Sequence, residues 1–132
     1  MVFIKPDAVR RGLIGEMIRR IEGAGLRVAA LQMRQIEESL AREHYVEHAG
    51  RPYFNDLVAF VTSGPVVAMV VEGVDAVTVV RGLMGATDPA KSPAGTIRGD
   101  FGTSITENLI HGSDSVPSAF RELRLWWPDL PE

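Results

Sequence analysis

The sequence predicts one α/β domain built on a single sheet, because segments of strand character alternate with segments of helical periodicity. Val2 to Ile4 and Val66 to Glu72 are apolar runs with the length of buried strands. In most of the remaining chain, apolar residues recur three and four positions apart. The length of 132 residues suits one compact domain without disulfides, so residues 1–132 are expected to fold together.

The elements of the first half are predicted from where apolar patterns start and stop. The expected elements are, in order, a strand over Val2 to Ile4, a helix over Gly12 to Gly23, a strand over Arg27 to Ile36, a helix from Ser39 to about Ala49 and a helix from Tyr53 to Val61. A turn is expected at Lys5-Pro6-Asp7, which leaves Lys5 at the mouth of the first strand. Ser39 is expected to cap its helix.

In the second half of the chain, the sequence predicts two strands and two helices, with a long connection between the first helix and the second strand. The expected elements are a central strand buried on both faces over Val66 to Glu72, a helix over Val74 to Met84, a strand over Asn108 to His111, and a last helix capped by Ser113 or Ser115 and ended by Pro128. Gly85 to Asp100 shows neither period, and a connection of this length is often functional.

Composition narrows the classes of function. A formal charge of -3 gives no support to nucleic-acid binding, so a phosphate site would have to be a local basic cluster. The absence of cysteine excludes a disulfide framework and a thiol nucleophile, and it fits a reducing cytoplasm. The longest apolar run, Val66 to Val71, is too short to span a membrane, and Lys5 and Asp7 are unlike a signal peptide. A non-secreted, cytoplasmic protein is expected.

His111 is the candidate nucleophile. It is expected where a strand gives way to Gly112 and the N-terminus of the last helix, whose free N–H groups attract anions. An imidazole is partly unprotonated near neutral pH and can carry a phosphoryl group covalently. Glu122, about two turns along that helix, could orient the ring. The alternative is a half-buried histidine that merely satisfies its hydrogen bonds.

Three cations are candidates for the phosphate site. Lys5, Arg81 and Arg98 lie at the end of a strand, near the end of a helix and at the exit of the long connection. Phosphoryl transfer needs cations and donors around the equatorial oxygens, and such positions often converge on one cleft. Thr87 could donate a hydroxyl to a phosphate, and Asn108 could bind a sugar hydroxyl. The alternative for each is an ordinary solvated side chain.

Aromatic, histidine and glycine motifs offer further candidates for ligand binding. Tyr53 or Phe54 could stack on a nucleobase, although core packing is favoured for Phe54. His44 and His48 have a helical spacing that can hold zinc, but no third ligand of matching spacing follows, which favours ordinary helix-surface residues. The glycines of the long connection do not form a Walker phosphate loop, so a P-loop kinase is not expected.

The octapeptide from Asn108 to Ser115 resembles the active-site motif of nucleoside diphosphate kinases. The resemblance is anchored along nearly the whole chain, at Ile4-Lys5-Pro6-Asp7, Arg51-Pro52-Tyr53-Phe54, Ser63-Gly64-Pro65-Val66 and the segment from Gly95 to Phe101. It implies transfer of the γ-phosphoryl group of a nucleoside triphosphate to a nucleoside diphosphate, by a ping-pong mechanism through a phosphohistidine.

The resemblance also implies roles for individual residues. His111 would take the phosphoryl group, and Glu122 and Ser113 would support its ring. Phosphates would contact Lys5, Tyr45, Arg81, Thr87 and Arg98; ribose hydroxyls would contact Asn108 and Lys5; the base would contact Tyr53. Stacking on the base explains why members of the family accept every common base, since every base has a π-face.

The resemblance further implies a ferredoxin-like βαββαβ sandwich with a four-stranded antiparallel sheet and covering helices. It implies Mg²⁺ carried on the nucleotide phosphates, without a protein metal ligand, and assembly into tetramers or hexamers. Ala8 stands where the family usually has glycine, Tyr53 where it has phenylalanine, and the proline of Pro93-Ala94-Gly95 lies one place early. The short segment after Trp127 indicates a bacterial-type member. The alternative is a non-catalytic nucleotide-binding or scaffolding domain of the same fold.

Overall fold

The computed structural model of the chain describes residues 1–129 and has one four-stranded sheet with helices on both faces. The elements are, in order, β1 (Val2–Ile4), α1 (Pro6–Arg10), α2 (Ile14–Gly23), β2 (Arg27–Arg34), α3 (Glu38–His44), a 3₁₀ turn (Val46–His48), α4 (Phe54–Val61), β3 (Val66–Glu72), α5 (Ala76–Met84), a second 3₁₀ turn (Pro89–Lys91), α6 (Ile97–Phe101), β4 (Ile110–Gly112) and α7 (Val116–Trp126). No helix within these residues is long and apolar enough to cross a membrane.

The sheet has the strand order β2-β3-β1-β4, and every neighbouring pair is antiparallel. This is the arrangement of a ferredoxin-like βαββαβ core, so the fold implied by the resemblance is confirmed. The strand predicted over Val66 to Glu72 is β3, which lies inside the sheet as expected. β1 pairs with β4 in the register Phe3 to His111, so the first strand of the chain lies beside the last, and β4 forms one edge of the sheet.

Two hydrophobic cores lie on opposite faces of the sheet, because successive strand residues point to opposite faces. Val2 and Ile4 face a core that includes residues of α2 and α5. Phe3 faces the other core, which includes residues of α3, α4 and α7, with Trp126 almost fully buried. Phe3, which lies between Val2 and Ile4, therefore packs on the opposite face of the sheet from them. His111, its partner on β4, lies on the same face as Phe3.

Three predicted boundaries in the first half are wrong. Pro6 does not end β1 in a turn; it is the first residue of α1, where proline lacks only an N–H that the helix would leave unpaired. Ser39 does not cap α3, since that helix begins at Glu38 with Glu37 at its N-cap and no capping bond from a side chain. α3 ends at His44, earlier than expected, and a 3₁₀ turn follows.

In the second half the long connection contains more structure than expected. Thr96 accepts a hydrogen bond from the N–H of Gly99 at 3.0 Å and starts the short helix α6, which carries Arg98. Of the two serines considered as caps of the last helix, Ser115 is the one used; it accepts from the N–H of Ser118 at 3.2 Å. The strand before it begins at Ile110 and includes Gly112.

Candidate active site

A cleft of about 660 Å³ collects nine of the ten predicted site residues. They are Lys5, Tyr45, Tyr53, Arg81, Thr87, Arg98, Asn108, His111 and Glu122. They come from the ends of β1 and β4, from α3, α5, α6 and α7, and from the connections between these elements. The tenth, Ser113, lies behind the cleft and reaches it through Glu122. Residues far apart in sequence therefore line one cleft.

The ring of His111 is held through one of its two nitrogens. Nε2 lies 2.7 Å from Oε1 of Glu122, a carboxylate that is almost fully buried. The hydroxyl of Ser113 donates to the same Oε1 at 2.8 Å, so the carboxylate is itself fixed. No residue of the described part of the chain forms a hydrogen bond with Nδ1 of His111, which is therefore the nitrogen available to a ligand.

Aromatic rings fix the plane of the His111 imidazole. Phe3 stacks on it at a centroid distance of 4.9 Å and an interplanar angle of 21°. His44 packs edge-on against it at 4.4 Å. Stacking and edge contacts of this kind restrict ring rotation. The nucleophile candidate is therefore oriented by packing as well as by its hydrogen bond.

The interpretation of His44 as a helix-surface residue is wrong. It is 4 % exposed, and its Nδ1 accepts a hydrogen bond from Nε1 of Trp126 at 3.0 Å. α3 packs on α7, which turns Ala41, His44 and Tyr45 inward. The signal was present in the sequence, because these three residues share a helical face with apolar neighbours. His48 does not pair with His44; its ring nitrogen bonds the Tyr53 hydroxyl at the rim.

The cations around the cleft are held by backbone and amide oxygens. Lys5 Nζ donates to Oδ1 of Asn108 at 2.7 Å, and Arg98 donates to the carbonyls of Asn108 and Ile110 at 3.2 and 2.7 Å. The amide of Asn108 donates to the carbonyl of Thr87 at 3.0 Å. Neither Lys5 nor Arg98 forms a salt bridge within residues 1–129, so no carboxylate in this part of the chain competes with a ligand for their N–H donors.

Burial and mutual repulsion depress the pKa values in the cleft. The pKa of Lys5 falls to about 7, first because the ammonium is buried and then because Arg98 lies near, although Asp7 opposes the shift. The pKa of Arg98 falls to about 10 through burial and the charge of Arg81. The same causes, burial first, hold the pKa of His111 well below its ordinary value, so its imidazole is neutral at neutral pH. The cleft is therefore a desolvated cationic site that contains a neutral imidazole.

Phe54 and Tyr53 are neighbours in sequence but differ in burial. Phe54 is buried in the core beneath α4, which confirms the interpretation of it as a packing residue. Tyr53 is 45 % exposed at the rim of the cleft. The buried hydroxyl of Tyr45 has no hydrogen-bond partner within residues 1–129, and burial raises its pKa. A protonated hydroxyl of this kind can donate to an anion in the cleft.

Asp7 is a buried carboxylate for which the sequence predicted no role in the site. Asp7 follows the lysine of the site by two positions and accepts a hydrogen bond from the N–H of Leu109, next to Asn108. No local pattern indicates this contact, because it joins residues 102 positions apart.

The cleft combines an exposed tyrosine at its rim, buried cations at its floor and a neutral imidazole, a set of groups suited to phosphoryl transfer. A family model described as nucleoside diphosphate kinase matches residues 1–131. The chain is 59 % identical to the nucleoside diphosphate kinase of Rubrobacter xylanophilus over 96 % of each chain. It is 55 % identical to that of Saccharopolyspora erythraea, over 98 % of this chain and 96 % of the relative. The chain belongs to the nucleoside diphosphate kinase family.

A solved structure agrees with this assignment. The nucleoside diphosphate kinase of Halobacterium salinarum in complex with CDP superposes with a TM-score of 0.93 at 51 % identity, covering 97 % of this chain and 86 % of that one. The predicted family, its bacterial type and its enzyme class are confirmed. The activity is transfer of the γ-phosphoryl group of a nucleoside triphosphate to a nucleoside diphosphate.

Proposed function

We propose that His111 carries the phosphoryl group and that Nδ1 is the nitrogen that bonds to phosphorus. The single observation behind this proposal is the bond from Nε2 to Glu122, which leaves Nδ1 as the free nitrogen in the cleft. A neutral imidazole has a lone pair on the nitrogen that carries no proton. The carboxylate keeps the proton on Nε2, so the lone pair lies on Nδ1.

The reaction follows in two halves. The lone pair of Nδ1 attacks the γ-phosphorus, the bond from phosphorus to the bridging oxygen breaks, and the nucleoside diphosphate leaves with that electron pair. The ring gains positive charge, which Glu122 stabilises through the Nε2 proton. A terminal oxygen of a second nucleoside diphosphate then attacks the phosphorus and releases neutral His111. The kinetics are ping-pong, because the first diphosphate leaves before the second one reacts with the covalent intermediate. The overall reaction is close to isoenergetic, because the bond that forms in the second half is of the same kind as the bond that breaks in the first.

Cations and donors of the cleft stabilise the phosphoryl group in flight. Lys5, Arg81 and Arg98 are assigned to the phosphate oxygens, since all three line the cleft with donors free of salt bridges within residues 1–129. The hydroxyls of Thr87 and Tyr45 are assigned to the same oxygens. A bound phosphate also supplies the negative charge that raises the depressed pKa of Lys5.

The remaining contacts select a nucleotide without selecting a base. Lys5 and Asn108 are held together by their own hydrogen bond, and both are assigned to the ribose hydroxyls. Tyr53 is assigned to the base, because its ring lies exposed at the rim. A stacking contact gives similar affinity for every base, which suits an enzyme that balances nucleotide pools.

Mg²⁺ is proposed to enter with the nucleotide. Within residues 1–129, the one group of three metal-type ligands is His44, His111 and Glu122, and its donors are engaged by hydrogen bonds to each other and to Trp126. Two imidazoles and one carboxylate do not suit a cation that prefers six oxygens and keeps its waters. Phosphate oxygens and water would therefore hold the ion, which neutralises charge on the β- and γ-phosphates when bound.

Assembly into a homo-oligomer, either a tetramer or a hexamer, stays a prediction. The cytoplasmic location of the protein is a second prediction. Support for assembly comes from β2, an edge strand on which Leu31 and Met33 are 54 % and 59 % exposed. Sedimentation velocity would give the number of subunits. The non-catalytic alternative requires the loss of the nucleophile or its cations, and His111, Lys5 and Arg98 are all in place in the cleft.

The test is the intact mass of the protein after incubation with magnesium and ATP, followed by addition of GDP. The native chain should gain one phosphoryl group and lose it to GDP as GTP appears, whereas His111→Ala should gain nothing. Phosphorus NMR of the labelled protein should assign the group to Nδ1. A native chain that never gains the group and makes no GTP would leave the scaffolding alternative.

A further inference from the structure

The backbone beside the nucleophile contains an unusual turn. Leu109 has a φ of 79°, in the left-handed region that leucine rarely adopts, and it is fully buried. The N–H of Ile110 donates to the carbonyl of Asn108 at 2.9 Å, which closes a γ-turn around Leu109. A γ-turn with positive φ is strained, so the surrounding structure must hold it in place.

This Leu109 turn organises the cationic side of the cleft. All three carbonyls of the turn accept hydrogen bonds. The carbonyl of Leu109 accepts one from the backbone N–H of Lys5 at 2.8 Å. The carbonyls of Asn108 and Ile110 accept hydrogen bonds from the Arg98 guanidinium. The Asn108 side chain in turn holds Lys5 Nζ. A peptide flip at Leu109 would therefore displace both cations and shift the chain two residues before His111.

Asp7 is the side chain that grips this turn. Its Oδ2 accepts the N–H of Leu109 at 3.2 Å, and the residue is 5 % exposed. The other oxygen, Oδ1, is buried without a hydrogen-bond partner within residues 1–129. Burying a carboxylate oxygen without a hydrogen bond destabilises the folded protein. Such a cost is unusual for a residue that has only a structural role. Asp7 does not line the cleft, so it has no direct contact with a nucleotide there.

We propose that Asp7 is a positioning residue for phosphoryl transfer: its carboxylate holds Leu109 in the positive-φ turn and thereby places Lys5, Arg98 and His111. The proposal rests on the roles assigned to those three residues above. Asp7 also lies in the first turn of α1, where an acidic residue stabilises a helix start. That role alone predicts a loss of stability without a loss of rate in the folded molecules, and it does not involve Leu109.

The test is a double-mutant cycle on the rate of His111 phosphorylation by ATP and magnesium, measured by rapid quench and expressed per folded molecule. Asp7→Ala should lower this rate about tenfold to hundredfold, because the cations and nucleophile lose their alignment. In the Leu109→Gly background, where glycine adopts positive φ without strain, the same change should cost less than about threefold. Asp7→Asn keeps an acceptor oxygen and should stay within about threefold of the native rate.

Asp7→Leu serves if Asp7→Ala folds poorly, since an apolar side chain of similar size suits the buried site but accepts no hydrogen bond. Asp56→Ala is the matched control, because Asp56 occupies the first turn of α4 and is exposed; it should leave the rate unchanged. The proposal is overturned if Asp7→Ala or Asp7→Leu phosphorylates at the native rate, or if the loss is equal in both backgrounds. A native chain that gains no phosphoryl group would overturn the proposed function itself, a separate outcome.

Discussion

Replacing Glu122 with glutamine isolates the contribution of its charge to phosphoryl transfer. Both neighbours of Oε1, the Nε2 of His111 at 2.7 Å and the hydroxyl of Ser113 at 2.8 Å, are donors. The amide oxygen of glutamine can take the place of Oε1, so the ring stays in position. Glu122→Gln therefore removes the negative charge while it keeps the geometry of the site.

The size of the effect follows from the kind of bond that is weakened. A hydrogen bond to a charged group contributes roughly 1.5–3 kcal/mol, and the 2.7 Å distance to His111 is typical of such a bond. The charge matters most when the ring becomes positive, in the transition state. Because glutamine keeps a neutral hydrogen bond worth roughly 0.5–1.5 kcal/mol, the loss is about 1–1.5 kcal/mol. At about 1.4 kcal/mol per factor of ten, Glu122→Gln should lower kcat about fivefold to tenfold with little change in KM.

Rapid-quench measurement of the phosphohistidine formed from ATP and magnesium gives the rate of this step. Glu38→Gln is the matched control, since Glu38 is an exposed partner of Arg42 on α3, and it should react at the native rate. A Glu122→Gln rate within twofold of native would refute the electrostatic role of the carboxylate. A rise in KM with unchanged kcat would place Glu122 in substrate binding instead.

Two further predictions concern the nucleotide contacts. Since the pKa of Lys5 is lowered to about 7, its amine is largely unprotonated at pH 8. Acetic anhydride should therefore modify Lys5 at this pH faster than a buried lysine with an ordinary pKa. ADP with magnesium should protect Lys5 but not exposed Lys91, the other lysine of the chain, as peptide mass spectrometry would show. Tyr53→Ala should raise KM about tenfold for purine and pyrimidine nucleotides alike, because a stacked base is worth about 1–3 kcal/mol, whereas Tyr53→Phe should stay near native. A KM increase confined to one base in steady-state assays would contradict stacking by Tyr53.

Local sequence patterns predicted most of the framework. Helical spacing located α2, α4, α5 and α7, and the apolar runs located β1 and β3. The antiparallel strand order came from the resemblance alone, because residue periodicity carries no information about which strands pair. Pro6 shows the limit of local rules: a proline that ends one element can also begin the next, and only the chain geometry decides.

For the site, the sequence predicted which residues converge but not how they are held. Lys5 and Asn108 were candidates as separate side chains, whereas their direct hydrogen bond spans 103 positions. His44 was misassigned because its neighbour Trp126 lies on a distant helix. The γ-turn at Leu109 had no signal, since leucine gives no indication of positive φ. Contacts between distant segments and strained backbone therefore need the structure.

The pairing of β1 with β4 has a consequence for synthesis of the chain. β1 is made first, yet one of its two neighbours in the sheet is β4, formed by Ile110–Gly112, and the proposed nucleophile His111 lies on that last strand. A growing chain on the ribosome can complete α2, β2 and β3 while one edge of β1 still waits for its partner. Kinase activity therefore begins only when nearly the whole chain has emerged, and it reports the completion of folding.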